Sequence, residues 1–197
     1  MNKEDYTTVE KFADTVNACN NDVTKEETSA EKTICDLLQK NNVESDDYLR
    51  QISVILPLYE EYLGNLQLSI KNYMYNKTEF LKKKMSSDYL RYISVMDSLE
   101  KPIILLTQDC FSDYLEELPE EVVDSEKVLD IEDIPSLTDG EKEGYLNVSF
   151  ARLKQFCGVI KECTAYADKK GYMSRLGVIP AMFFHYESNI DFIVNYL

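Results

Sequence analysis

The sequence predicts an all-α protein: a helical hairpin, coiled coil or helical bundle, with a small C-terminal helical unit joined to it through an acidic linker. Three observations predict it. Apolar residues recur at alternating steps of four and three from Ile52 to Phe80, the spacing of a helix–helix seam. The same spacing returns twice near the C-terminus, at Leu146, Phe150, Leu153, Cys157 and Ile160, and at Met182, Phe183, Tyr186, Ile190, Ile193 and Leu197. The chain of 197 residues holds only 6 Gly and 5 Pro, so long helices can run without interruption.

Residues 1–45 form the first region, polar and weakly ordered. Val9, Phe12, Ala13 and Val16 give one short helical stripe, and Ile34, Leu37 and Leu38 a second. Asn20-Asn21-Asp22 separates them, and Thr28 with Glu31 has the spacing of a capping box.

Residues 46–118 form the second region, the hairpin or coiled coil. Asp46 or Asp47 can cap its start. The seam runs through Ile52, Leu56, Tyr59, Leu63, Leu66, Ile70, Tyr73, Lys77 and Phe80. All but Lys77 are apolar, and these eight are the candidate partner-binding residues. Pro57 predicts a kink near Ser53 or a helix start at Leu56–Leu58. Gly64 weakens the helix by about 1 kcal/mol relative to Ala. Ser86-Ser87-Asp88 is the expected break, after which Tyr89, Ile93 and Met96 begin a new stripe. Pro102 opens a further turn. The Lys82-Lys83-Lys84 run is then expected near the hairpin tip, at a helix C-terminus, where it complements the macrodipole.

Residues 119–144 form the acidic linker. The net charge of −15 is concentrated around it: residues 101–150 hold 14 acids and 3 bases, whereas 51–100 are neutral. Thr138-Asp139-Gly140-Glu141 can cap the next helix. Residues 145–197 form the C-terminal unit. Lys169-Lys170-Gly171 is a helix stop, residues 172–179 have room for a small strand, and Pro180 opens the last helix.

The composition excludes several function classes. A chain this acidic is repelled by phosphate backbones and anionic lipid, so no direct nucleic-acid or membrane partner is expected. No run of about 18 apolar residues predicts a span, and no leader segment is visible. Five irregularly spaced cysteines indicate a reducing compartment rather than a disulfide framework. The expected location is intracellular, in cytoplasm or nucleus, or in a host's cytoplasm for a viral chain.

Catalytic signatures are missing: there is no Gly-rich phosphate loop, HExxH or GxSxG. His185 is the only histidine and reads as a partly exposed, aromatic-flanked helix residue. The acid pairs Glu60-Glu61, Glu116-Glu117 and Glu120-Glu121 read as solvated faces. No catalytic residue, metal ligand or cofactor is assigned, and the chain is not expected to be an enzyme. A carboxylate or thiol activity outside any known motif would have to depend on His185 or Cys157.

Within the linker, Val128-Leu129-Asp130-Ile131-Glu132-Asp133 alternates β-formers and then carries acids. These six residues resemble a SUMO-interacting motif, which implies Val128, Leu129 and Ile131 adding as a strand to a partner's sheet edge. The competing reading is a linker segment packed on its own domain. Two functions follow. The first is a helical adaptor or scaffold subunit whose partner is a protein, either a second copy or another chain. The second is an acidic regulator that occupies a basic, nucleic-acid-binding surface of a target.

Overall fold

The structure is a computed structural model and describes residues 29–117, 129, 132–165 and 183–197, with side chains described up to residue 106 in the first stretch. Among the described residues there are five α-helices and no strand. They are α1 (29–40), α2 (Tyr48–Tyr75), α3 (Glu79–Glu117), α4 (Asp139–Ala165) and α5 (183–195), with a 3-10 turn at Ile134–Ser136 before α4. The possible strand at 172–179, the stripe at residues 9–16, the stop at 169–171 and the helix start at Pro180 lie outside the described residues.

Local chemistry sets most helix ends. After α1, Asn42 takes a left-handed φ of 49°. The Val43 amide donates to the Leu38 carbonyl and the Asn42 amide to that of Gln39. This is a Schellman closure, and Asn tolerates its αL position. The Asp47 carboxylate accepts from the Arg50 amide at 3.2 Å and caps α2. Thr138 and Glu141 form the expected capping box. The Glu141 carboxylate accepts from the Thr138 amide at 2.8 Å, and the Glu141 amide donates to Thr138 Oγ1 at 3.3 Å. Hydrogen bonds from the Thr138 hydroxyl, at 2.7 Å, and from its amide hold the Glu141 carboxyl below its usual range.

Pairwise contacts fix the topology. Ser69 meets Asp88 and Tyr59 meets Tyr92, so α3 returns antiparallel to α2. Lys77 reaches Asp139, Lys154 reaches Gln67 and Lys161 reaches Glu60, so α4 is also antiparallel to α2. Helices α3 and α4 are therefore parallel. The connection between them must carry the chain back to the end where α3 began. Leu129 and Ile134, on that connection, are buried in the core. Asn195 bonds to Tyr89 while Glu187 lies near Asp97, so α5 is antiparallel to α3. The result is a helical bundle with one long crossover.

One hydrophobic cluster runs from Ile34 in α1 through every helix to Val194 in α5. The C-terminal helices share this core. Tyr59, fully buried, is the meeting point: its ring lies 5.7 Å from Tyr92 of α3, 6.3 Å from Phe156 of α4 and 5.7 Å from Phe183 of α5. In α4, Leu146, Phe150, Leu153, Cys157 and Ile160 are all buried, and Cys163 joins them.

Several expectations are corrected. The hairpin turns at Asn76-Lys77-Thr78, not at Ser86-Ser87-Asp88. Thr78 Oγ1 accepts from the Leu81 amide and starts α3. Ser86 is absorbed into α3 by donating to the carbonyl one turn back, at Lys82. Asp88 is a buried polar contact and not a cap. Lys82-Lys83-Lys84 consequently sits in the opening turns of α3, at a helix N-terminus and not a C-terminus. Pro57 does not start a helix: α2 runs through it. Pro57 faces solvent and Ser53 is half-exposed, so water can take the carbonyl bond that proline cannot make, while buried Ile55, Leu56, Leu58 and Tyr59 hold the turn. Pro102 likewise lies inside α3.

Since the seam is covered within one molecule, changing Leu63 and Leu66 to Asp should unfold the bundle and not dissociate an oligomer. Leu66→Ala alone should cost about 2–5 kcal/mol, the range for a buried leucine. Urea denaturation followed by circular dichroism checks both. The unfolding midpoint should not move across a hundredfold range of protein concentration.

Candidate interaction surface

The fold consumes most of the residues that the spacing marks for partner binding. Ile52, Leu56, Tyr59, Leu63, Leu66, Ile70 and Tyr73 are buried inside the chain, none more than 7% exposed. Phe80 is the exception at 74%. It lies beyond the turn at 76–78, where the seam's register no longer points into the core. Leu129 is 5% exposed and belongs to the core. The linker thus packs on its own bundle at this point, and Leu129 is unavailable to a partner's sheet edge. Val128 and Ile131 lie outside the described residues.

Other apolar side chains remain on the surface. Gly64, Leu68, Lys71 and Tyr75 follow one another on α2 at steps of four, three and four, one face round from the seam. Leu68 is 58% and Tyr75 68% exposed. With Glu143, Asn147 and Phe150 of α4 they line an open groove of about 230 Å³. Gly64 leaves the floor clear, as a Cβ there would meet nothing within 4 Å. The signal for this stripe was in the sequence, at the spacing of the seam but offset by one or two residues, and the stronger seam obscured it.

Near the groove's far end, Lys77 pairs with Asp139 at 3.4 Å across exposed surface, a contact worth less than about 1 kcal/mol. Lys84 reaches Asp88 at 2.6 Å, and Ser69 donates to the same carboxylate. Asp88 is 5% exposed. This polar set joins α2 to α3 and fixes their register, because sliding either helix by a turn would strand a buried carboxylate.

Two strongly perturbed carboxyls lie on α5. Glu187 is 5% exposed and Asp191 sits one turn on. The Glu187 carboxyl is pushed up to about 9, first by burial, then by its hydrogen bond to Asp191 and the charges of Asp191, Asp97 and Glu100. Burial also raises Asp191, against hydrogen bonds from Glu187 and Tyr89 that lower it. Glu187 therefore keeps its proton and donates to the Asp191 carboxylate. Tyr89 donates to that carboxylate too, and its own hydroxyl is raised by burial and by Asp191. Tyr59 and Tyr92 lie alongside, both raised by burial. Glu187 Oε1, Asn189 Oδ1 and Asp191 Oδ1 are buried with no hydrogen-bond partner within bonding distance among the described residues.

His185 is half-buried, edge-on to the Tyr186 ring at 5.1 Å. Cys157 is fully buried and its thiol is pushed up to about 12 by burial and then by Glu60, which opposes thiolate formation. Cys35 and Cys157 are free thiols. Among the described residues no group of three His, Cys, Asp or Glu is set to hold a metal ion. None of the described helices is long and apolar enough to cross a membrane.

The protonated Glu187 ties stability to pH. Its carboxyl titrates near 4.3 in an unfolded chain and about 9 in the bundle, so between these values the native state holds the extra proton. Stability is then complete below the lower value and falls as pH rises through the upper one. Glu187→Gln should flatten this dependence and stabilise the bundle at pH 8 by about 2 kcal/mol, the scale of a buried polar penalty. Thermal melts of both proteins between pH 5 and pH 9 check this; parallel curves would exclude a buried proton at Glu187.

Comparison with protein-family models, curated proteins and solved structures finds no match to this chain.

Proposed function

We propose that this protein is a non-enzymatic helical adaptor or scaffold subunit that acts through protein–protein contact. The observation that carries the reading is the groove between α2 and α4. Leu68 and Tyr75 stand exposed along it at helical spacing, although the chain has enough apolar residues to complete a closed core without them. Aliphatic and aromatic side chains held in a row on a rigid helix suit a partner that presents its own apolar ridge. The tyrosine ring tolerates water before binding and loses little side-chain freedom on burial. The rigid frame matters as much as the side chains, because α2 is fixed on two sides by α3 and α4 and keeps the groove preformed.

A second reading rests on the exposed carboxylates of Glu132, Asp133, Asp139 and Glu141, which lead into α4. They suit an acidic regulator that fills a basic, nucleic-acid-binding groove of a target. The two readings differ in salt dependence: apolar contacts persist at high salt, whereas a charge mimic is released.

Leu68→Glu combined with Tyr75→Glu should leave the melting temperature within about 2 °C of wild type, because exposed substitutions change stability by less than about 0.5 kcal/mol. The same pair should remove specific partners in affinity purification from the native source followed by mass spectrometry. Recovery of an identical set of proteins with the double variant would defeat the groove as the contact surface.

A further inference from the structure

The α2–α3 tip is rich in lysine although the protein is acidic. From Lys71 to Lys84 the sequence carries five lysines and one acid, Glu79, in a chain of net charge −15. Lys77 is paired with Asp139 and Lys84 with Asp88. Lys71, Lys82 and Lys83 have no carboxylate within ion-pair distance among the described residues. Lys82 and Lys83 also stand in the opening turns of α3, where the positive end of the helix dipole repels cations. Their position works against the helix they belong to, and neither has a carboxylate within ion-pair distance among the described residues.

The same tip carries the two most exposed aromatic side chains described, Phe80 at 74% and Tyr75 at 68%. Phe80 and Lys83 are three residues apart on α3 and share a face. An apolar ring beside an unpaired cation, on a rigid turn, is matched by a ligand with a carboxylate beside an apolar side chain.

We propose that the α2–α3 tip is a docking site for a short acidic segment of a partner protein, with apolar residues interleaved among its carboxylates. Charge complementarity selects this occupant over an extended polyanion. Screening cuts off exposed charges beyond about 8 Å at physiological salt, and α2 alone is about 42 Å long. A short peptide at the tip therefore feels the lysines and little of the acidic body. A broad anionic surface, lipid or nucleic acid, would also meet Glu79, Asp139 and Glu141 at the same end of the bundle. The inference rests on the interaction reading above and adds the chemistry of the partner.

The test is fluorescence anisotropy on the full chain with a short fluorescein-labelled peptide of alternating Glu-Leu and Glu-Phe pairs, beside its Gln counterpart. Saturable binding of the Glu peptide alone, weakening as salt rises, supports the proposal. Lys82→Glu with Lys83→Glu should abolish it, and Phe80→Ala should weaken it about tenfold, the loss of one central aromatic contact. The lysine variant should melt no lower than wild type, because it removes an unfavourable dipole interaction. Absence of binding overturns the proposal, as does equal binding by the lysine variant. Phosphatidylserine vesicles or an RNA oligonucleotide captured in a lysine-dependent way, without the peptide, would overturn it in favour of a polyanion. Lysine-dependent self-association in sedimentation, again without the peptide, would overturn it in favour of a second copy. If the peptide fails while partner capture still depends on Leu68 and Tyr75, the tip assignment falls and the interaction reading stands.

Discussion

The structure depends on covering the apolar face of α2. That helix carries ten buried residues, from Ile52 to Tyr73, and each large one is worth roughly 1.5–3 kcal/mol when removed from water. One neighbouring helix cannot cover so wide a face. Helix α3 covers one flank and α4 the other, and α5 closes the space between, where Phe183 meets both Tyr59 and Phe156. The seam found its partners within its own chain, so whatever binding the protein performs must use what this covering leaves out.

Polar groups inside the bundle limit how the helices can settle. A purely apolar seam would tolerate sliding by a turn, because one leucine replaces another at little cost. The Ser69–Asp88–Lys84 contact removes that freedom between α2 and α3. At the other interface, the polar side chains of Asn195, Tyr89, Asp191 and Glu187 lie together, which only one register of α5 allows. Such groups add little net stability, since their desolvation cost is high. What they contribute is a single arrangement, and that arrangement keeps the groove and the tip in fixed relation.

Fold class was legible because apolar spacing reports helical faces directly: the buried set of α2 follows the seam from Ile52 to Tyr73, and that of α4 follows Leu146 to Ile160. Caps were legible where the chemistry is local, as at Asp47 and at Thr138 with Glu141. The breaks were not. Serines and an aspartate at 86–88 look like punctuation, yet a serine can bond to its own helix and an aspartate can be buried with a lysine one turn away. Pro57 looked disruptive because its exposure is a tertiary property that no local pattern shows. Continuity of the core was hidden by the acidic stretch, whose composition reads as a spacer although Leu129 and Ile134 are buried. The surface was the least legible part. Tyr73 and Tyr75 are two residues apart on one helix, and only the position of α4 and the turn at 76–78 decide which is buried.

The parallel arrangement of α3 and α4 has a kinetic consequence. Contacts within the α2–α3 hairpin close short loops, 19 residues for Ser69 with Asp88. Those that seat α4 on α2 close long ones, 87 residues for Lys154 with Gln67 and 101 for Lys161 with Glu60. Loop-closure entropy grows with separation, so non-local pairs gain only after local ones have formed. A ribosome makes the two halves in the same order, and the nascent hairpin holds an uncovered flank of α2 until the crossover and α4 have been translated. During that interval the greasy flank is open to any chaperone or assembly partner that can shield it.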